Sequence, residues 1–515
     1  MTLDSLRKRY FYKLAGNLAK LGLNVSIYLL VPRALGPKSY GDFSFLSNFF
    51  QQVVAFLDLG TSTAFFTKLS QRPNEFSLVT FYLRFTASAF LLTLGLCFMA
   101  QITGASPAIW PEQGMLYVYL AAIWGFLTWM DLVLTKMADA YGLTVSGERA
   151  RIVQVIFGLV VIVALFFLKI INLATFFLYH FAILVLLAVL FIHILEKNGR
   201  PFRGLPRLPW AQVRSHLSEF YHYCHPLFSY ALVGLVVGIL DRYLLQLFGG
   251  SIQQGFFGLS FQIGLVCFMF TSAMTPLFTR EQAIHHGQGD LAAMARIFRR
   301  YIPLLYMVSA YFGSFILIQA PKVTWLFGGE AFQGAAVPMS IMAIYPVHQT
   351  YGQLSGAVFL ATGRTDLYRN IGIVTALLGL PMTYFLLAPQ QHFGMGAGAV
   401  GLAVKMILLQ FIAVNVQLFF NCRFLKLSFW YFLGHQVLGL GILIALAWAA
   451  RAGVEVIPFF RERILADFFL SGVIYSLLAL ALFFIRPELF GLTPEDTGRL
   501  LEQSRLMLNR LKSQR

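Results

Sequence analysis

Apolar residues run in windows of about twenty along nearly the whole chain, separated by clusters of Pro, Gly and charge such as Leu35-Gly36-Pro37. A helix rises 1.5 Å per residue and a bilayer's hydrocarbon core is ~30 Å thick, so each window is long enough to cross it. The windows predict spans at 13–31, 42–66, 78–100, 114–135, 150–169, 172–195, 221–247, 255–279, 301–319, 337–361, 370–388, 396–420, 430–450 and 465–485. The expected fold class is therefore an all-α polytopic membrane protein of about 14 transmembrane helices.

The longest connection, 196–220, contains the turn-rich basic run Gly199-Arg200-Pro201-Phe202-Arg203-Gly204-Leu205-Pro206 and divides six expected helices from six. The segment Gly36-Pro37-Lys38-Ser39-Tyr40-Gly41, leading to Phe65-Phe66-Thr67-Lys68, has an echo in Gly250-Ser251-Ile252-Gln253-Gln254-Gly255, leading to Leu277-Phe278-Thr279-Arg280. Six is even, so two such units share one orientation and are related by an axis along the membrane normal. The expected plan is an N-terminal lobe (1–195), a basic linker (196–220), a C-terminal lobe (221–421), two extra helices (422–488) and a tail (489–515), with a central cavity between the two six-helix lobes. In the tail, Thr493-Pro494-Glu495-Asp496 is a helix start, with Thr as N-cap and acids near the positive dipole end. Leu500, Leu501, Met507, Leu508 and Leu511 then make one side of a basic amphipathic helix suited to the inner leaflet.

Composition agrees with this plan and removes most alternatives. Of 515 residues 58% are apolar and 12% charged, where soluble domains are about half apolar and a quarter charged, so an ordinary soluble enzyme is excluded. The net charge of +17 raises nucleic acid as a partner. With the N-terminus in the cytoplasm, however, basic residues fall on cytoplasmic connections about fourfold more often than on outer ones, as topology alone requires. They are dispersed over many segments rather than gathered into one groove, so no nucleic acid is expected, and both termini are expected inside. Arg7, Lys8 and Arg9 before an apolar run imitate a signal peptide, but Lys20 and Asn24 interrupt the run, which reads as a retained first helix. Cys97, Cys224, Cys267 and Cys422 lack CxxC spacing and read as packing residues.

Polar stripes along apolar helices mark where side chains face water or a partner, because a charge facing lipid costs a few kcal/mol. Asn17, Lys20 and Asn24 share a face of the first helix, and Ser44, Asn48, Gln51, Asp58 and Ser62 a face of the second. Lys20 and Arg84 each lie about seven residues inside the cytoplasmic end, roughly 10 Å deep, where a mobile ammonium and a planar fork suit an anionic head group; snorkelling to the interface competes with that role. Asp58, ~15 Å deep, can pair with Lys20 or Arg84 or take up a coupling ion, and Asp131 is a second carboxylate for charge pairing; Asp139 reads as a solvated helix end. Arg242, toward the outer end of helix seven, and Lys405, in the outer half of helix twelve, are candidate anion ligands; outward snorkelling competes with that role for Arg242, and Asp241 beside it points about 100° away. The substrate-binding candidates are therefore Lys20, Asn24, Arg84, Arg242 and Lys405. His222 and His225 are three apart without further ligands, so no metal site is expected, and His348 with Gln349 and Gln353 reads as interhelical packing or cavity lining. Fifty-two Phe residues supply lipid-facing and interhelical bulk. No phosphate-binding loop, nucleophile elbow or dinucleotide fingerprint stands in a suitable setting, so neither an enzyme nor an ATP-driven pump is expected.

The stretch from Leu30-Val31-Pro32-Arg33-Ala34-Leu35-Gly36-Pro37-Lys38-Ser39-Tyr40-Gly41-Asp42-Phe43, followed by Phe56-Leu57-Asp58-Leu59-Gly60, resembles the opening of Wzx-type polysaccharide flippases of the multidrug/oligosaccharidyl-lipid/polysaccharide exporter (MOP) superfamily. The resemblance implies flipping of an undecaprenyl-phosphate- or diphosphate-linked saccharide across a bacterial inner membrane by alternating access, for surface polysaccharide biosynthesis. It implies no cofactor beyond a coupling ion, H+ or Na+. It implies as partners the polyprenyl-linked glycan, membrane lipids, and a polysaccharide polymerase with other assembly proteins. Such flippases share no strict motif, so the site residues rest on depth alone. The main alternative is a multidrug or organic-cation antiporter of the same superfamily, which would favour acids in its cavity. An O-antigen polymerase-type enzyme would need larger outer loops, although Glu455, Glu462 and Asp467 do surround the last one.

Overall fold

A computed structural model describes residues 6–200, 208–225, 228–461, 463–496 and 498, with the side chains of 6–21, Tyr223, Tyr230 and Arg461 outside that description. Every regular element among them is a helix. The chain forms two compact units, one of residues 1–255 with 387–398 and one of residues 256–386 with 399–515.

The first unit contains α1 (Leu6–Asp58), α2 (Thr61–Gln71), α3 (Phe76–Ile102), α4 (Ser106–Ile109), α5 (Met115–Ala140), α6 (Thr144–Phe167), α7 (Leu173–Lys197), α8 (Trp210–Cys224) and the first part of α9 (Phe228–Val266). Continuous as they are, α1 and α9 are each kinked at one glycine, Gly36 (φ 71°, ψ 170°) and Gly250 (φ 70°, ψ −177°). Only glycine takes that backbone readily, and Pro37 removes a donor immediately after Gly36. Each kink is followed five residues on by a second glycine, and these meet. A methyl on Gly41 would lie 1.7 Å from the Ser251 carbonyl oxygen, and one on Gly255 2.1 Å from that of Pro37. The two echoing turns thus cross backbone against backbone. After α1, Leu59 (φ 45°) and Gly60 (φ 80°) break the helix before α2 begins.

Lipid tails are as apolar as Leu, so burial of apolar surface does little to bring these helices together, and shape and polar bridges must specify their packing. Phe65 stacks on Tyr82 at 4.3 Å between ring centroids, over a floor of buried Trp129, Val133, Phe191 and Leu195. A reciprocal cap starts α7: Asn172 Oδ1 accepts from the Thr175 amide (3.0 Å) and Thr175 Oγ1 from the Asn172 amide (2.8 Å).

The second unit continues α9 and adds α10 (Met269–Gly287), α11 (Leu291–Ile318), α12 (Ala320–Gly328), α13 (Ala336–Met342), α14 (Tyr345–Ala361), α15 (Thr365–Leu387), α16 (Gly398–Leu425), α17 (Phe429–Glu455), α18 (Pro458–Arg461) and α19 (Ile464–Ile485). Its core is built around fully buried Phe298, Tyr306, Tyr351 and Tyr475, and the tyrosine hydroxyls cross between helices. Tyr306 donates to the Gln436 carbonyl (2.8 Å), Tyr475 to that of Tyr311 (2.9 Å), and Tyr351 bonds His435 Nδ1 (3.0 Å). The final helix pair, α17 and α19, packs on α11. Lys322 of α12 fastens it by an ion pair to Asp467 (2.7 Å), whose side chain is 2% exposed. The expected helix start at Thr493 is present. Thr493 Oγ1 accepts from the Asp496 amide (3.3 Å) and Asp496 from the Thr493 amide (3.1 Å), with Asp496 also paired to Arg300 at 3.2 Å. The rest of the expected amphipathic tail lies outside the described residues.

Ten described helices are long and apolar enough to cross a membrane. The other four expected spans fall on broken elements: 13–31 and 42–66 on the two arms of α1 with α2, 255–279 on the far arm of α9 with α10, and 337–361 on α13 with α14. Interrupted backbone of this kind is tolerated at membrane depth where neighbouring protein satisfies the freed groups.

In the linker, α8 straps the turn between α2 and α3. Glu219 accepts from Lys68 (2.5 Å) and Arg72 (2.6 Å), while His216 lies between Glu75 (3.7 Å) and Glu219 (3.9 Å). Partial burial works against the Glu219 anion, but Lys68 and Arg72 outweigh it and hold its carboxyl below the usual range. A depressed folded pKa gives a contribution that is full above the ordinary Glu value of about 4.3 and disappears as pH falls through the lower folded value. Amide-exchange protection of α8 is accordingly expected to persist from neutral pH to about pH 4 and to fall below it. Glu219→Gln is expected to lower protection at neutral pH and to flatten that dependence.

Candidate functional site

Asp58 closes α1, and the break that follows turns the free end of α2 toward its carboxylate. Oδ1 accepts from the Ser62 amide (2.9 Å), Thr61 Oγ1 (3.1 Å), Tyr82 OH (3.1 Å) and Trp129 Nε1 (3.3 Å), and Oδ2 from Ser62 Oγ (2.8 Å). The side chain thus caps an interrupted membrane helix and ties it to α3 and α5. Arg84 is not among its partners, and the Lys20 side chain lies outside the described residues. A nearby cation is Lys136 of α5, which donates to Thr63 Oγ1 at 2.9 Å on the first turn of α2. Tyr82, Trp129 and Lys136 have no sequence proximity to Asp58, and nothing in the pattern singled them out.

Arg84 is exposed on α3 and shares a stripe with Ser88, Leu91 (66% exposed) and Ile102 (65% exposed). Its charge therefore stands on the side of α3 that the rest of the unit leaves uncovered. Lys20 lies on α1, its side chain outside the described set, while Asn24 is half-buried beside Leu23, which packs on Gly158 of α6. Asp131 is part of a bridge from α5 to α6: Arg151 donates to Thr135 Oγ1 (2.9 Å) and approaches Asp131 at 3.9 Å.

The glycine crossing carries a second polar cluster of the first unit. The Ser251 hydroxyl donates to Asp42, Gln113 Nε2 donates to Asp42 (2.8 Å), and Gln246 Nε2 donates to Ser251 Oγ (3.0 Å) and to the Pro111 carbonyl (3.1 Å). Glu112 accepts from the Ser251 amide (3.2 Å), so it caps the far arm of α9 immediately beyond the kink. Sequence reading noted the glycines here and missed Asp42, Glu112, Gln113 and Gln246. The signal available was Glu112 directly after Pro111 in a short, otherwise uncharged connection.

One turn away, Arg242 is 9% exposed and donates to Gln254 Oε1 (3.1 Å), while Gln254 Nε2 returns a bond to the Arg242 carbonyl. In the second unit Lys405 is 4% exposed, with its Cε and Nζ only 3.1 and 3.3 Å from where a methyl would stand on Gly379 of α15. The missing side chain at Gly379 is what admits the ammonium between α15 and α16. His348 packs edge-on to Phe411 (5.2 Å between centroids), and Gln349 accepts from Gln410. All four cysteines are buried and unpaired, His222 bonds the Ser218 carbonyl (2.7 Å), and no group of three metal-ligating side chains occurs among the described residues. A cavity of about 400 Å³ in the first unit, between α1, α3 and α9, is almost wholly apolar, with Phe49, Phe56, Leu92, Leu96, Leu235 and Ile239 in its wall.

No family model and no curated protein matches the chain. Solved structures do. An inward-facing multidrug resistance transporter of the MATE family of the MOP superfamily matches with a TM-score of 0.60 at 14% identity, over 78% of this chain and 94% of that one. An outward-facing MATE transporter matches at 0.52 and 16%, over 81% and 95%. A MOP superfamily transporter from Pyrococcus furiosus, described as having a binding pocket of reversed polarity that suggests a different function, matches at 0.51 and 15%, again over 81% and 95%. At these identities the likeness establishes the fold, which is that of MOP superfamily transporters.

Proposed function

We propose that this protein is a flippase that carries an undecaprenyl-phosphate- or diphosphate-linked saccharide from the cytoplasmic to the periplasmic leaflet of a bacterial inner membrane, for surface polysaccharide synthesis. Residues 1–195 and 221–421 are the lobes that rearrange in alternating access, with Lys20, Asn24, Arg84, Arg242 and Lys405 as the candidate substrate-binding residues. The supporting observation is the state of the embedded carboxylates. An organic cation needs acids that can turn to it, whereas Asp58 is held by five donor contacts and Asp131 lies in a bridge with Arg151 and Thr135. Arg84, by contrast, presents an exposed guanidinium part-way along a membrane helix, and guanidinium matches phosphate oxygens in a bidentate fork. The reversed pocket polarity described for the Pyrococcus furiosus transporter supports treating charge preference as variable within this fold.

In this mechanism the cations capture the phosphate from the cytoplasmic side, the polyprenyl tail stays in lipid, and a lobe rearrangement presents the sugar outside. Uptake of H+ or Na+ at Asp58 or Asp131, or consumption of the product by a polymerase and other assembly proteins, makes the flow directional. No other cofactor is needed, the chain carries out no covalent chemistry, and both termini are cytoplasmic. The test is translocation of labelled lipid-linked oligosaccharide in vesicles containing the purified protein. A charge-assisted bond to phosphate contributes ~1.5–3 kcal/mol, so the Arg84→Ala, Lys20→Ala double variant is expected to flip about ten- to a hundredfold more slowly at limiting substrate. Undiminished flipping by a stably folded double variant would remove the proposed capture site. Proton-driven export of an organic cation without lipid flipping would replace the whole reading.

A further inference from the structure

We infer that α8 is an interfacial helix that holds the linker against an anionic bilayer surface. At ~100° per residue its side chains sort onto three flanks. One is packed on the protein: Val213, His216, Glu219 and Phe220, with Phe220 4% and His216 5% exposed, and Glu219 clamped by Lys68 and Arg72. The second bears Trp210, Arg214, Leu217 and Tyr221 at i, i+4, i+7 and i+11, with Trp210 76%, Leu217 50% and Tyr221 61% exposed. The third is polar: Ser215, Ser218 and His222 are all exposed.

A helix facing only protein and water has no use for the middle flank. Three large apolar side chains, two of them amphipathic aromatics, in line with an arginine are what a helix lying in a headgroup layer presents to lipid. Height and charge point to the same occupant. The packed flank sits on the turn joining α2 to α3, at the start of the apolar helix α3, so a bilayer crossed by α3 has its surface at the level of the stripe. Arg214 makes no ion pair among the described residues. The sequence leading into the helix carries Lys197, Arg200, Arg203 and Arg207 against one acid, Glu196. The only acid within α8, Glu219, is already paired, so the helix and the sequence leading into it carry a net positive charge complementary to anionic headgroups.

The full-length protein in lipid nanodiscs tests this through the Trp210 part of its emission, obtained by subtracting the spectrum of Trp210→Phe. Truncating so exposed a ring leaves the core intact. The Trp210 component is expected to be quenched by lipids brominated on their acyl chains and spared by aqueous acrylamide. Ser215→Trp in the Trp210→Phe background, on the polar flank, is expected to behave oppositely. Arg214→Glu is expected to reduce the bromolipid quenching in discs containing phosphatidylglycerol and to leave it unchanged in discs of phosphatidylcholine alone. A Trp210 component open to acrylamide would place the stripe in water, and one shielded from both quenchers would mean that protein covers it. Indifference of the quenching to Arg214→Glu in both lipids would show that headgroup charge has no part. Each of these three results overturns the inference.

Discussion

Gly41→Ala is expected to reduce the yield of folded protein severely and to lower the stability of what remains by at least ~3 kcal/mol, the upper end of ordinary overpacking costs. The added methyl would lie 1.7 Å from the Ser251 carbonyl oxygen, 2.7 Å from its carbon and 2.8 Å from the Gly255 nitrogen. All three are backbone atoms, so no rotamer change relieves the clash, and the two kinked turns must move apart. Separation also breaks the bonds that Asp42 and Glu112 make to Ser251, and so uncaps the far arm of α9. Gly255→Ala meets the Pro37 carbonyl oxygen at 2.1 Å and is expected to behave alike. Gly95→Ala in α3, where no atom stands within 4 Å, is the control and is expected to match or slightly exceed the parent, since Ala is the better helix former. Size-exclusion profiles and melting curves in detergent make the comparison, and parental behaviour of Gly41→Ala would show that the turns do not touch.

The second large effect is expected at Asp58, where two substitutions separate structure from transport. Asp58→Ala leaves the Trp129 ring N–H and the Ser62 amide without their acceptor, while the Tyr82 hydroxyl keeps only Thr61 Oγ1 (3.0 Å), and each donor so stranded costs about 1–3 kcal/mol. A total loss of at least ~3 kcal/mol is expected, with α2 detaching from α3 and α5. Asp58→Asn keeps an oxygen where four of the five donors converge, and the Ser62 hydroxyl can turn to accept from the new amide. It is expected to retain well over half of that stability. If Asp58 takes up the coupling ion, the folded Asn variant loses the dependence of flipping on the pH or sodium gradient. If its work is only to cap the broken helix, the Asn variant keeps that dependence at a somewhat lower rate. Equal stability of the Ala variant and the parent would contradict the clasp itself.

The glycine echo shows how far local pattern reaches. Gly36 with Gly41 and Gly250 with Gly255 are visible as a repeat because backbone that bends with positive φ needs glycine wherever it occurs. That the second member of each pair faces the other turn, and that Glu112 caps the junction, is not visible, since contacts over such sequence separations leave no periodic trace. The charged residues divide in the same way. Depth along a helix, counted in residues, singled out Asp58, Arg242 and Lys405; in the structure Arg242 and Lys405 are buried and Asp58 half-buried. Their surroundings followed from neighbours: three aromatic and hydroxyl-bearing helices for Asp58, Gln254 for Arg242, and a glycine gap for Lys405.

By itself the sequence determined the class of molecule, the approximate limits of ten apolar helices, two places where the chain bends, at Gly36 and Gly250, and the start of the helix at Thr493. The hydrocarbon thickness and the φ range of each residue type are local constraints, and they act on any stretch of chain regardless of its partners. Tertiary structure alone decided which polar groups satisfy one another, why four expected spans are interrupted, and which flank of α8 is left uncovered. Those outcomes depend on which helices become neighbours, and between helices in lipid that choice rests on close fit and a few hydrogen bonds rather than on hydrophobicity, which every candidate surface shares.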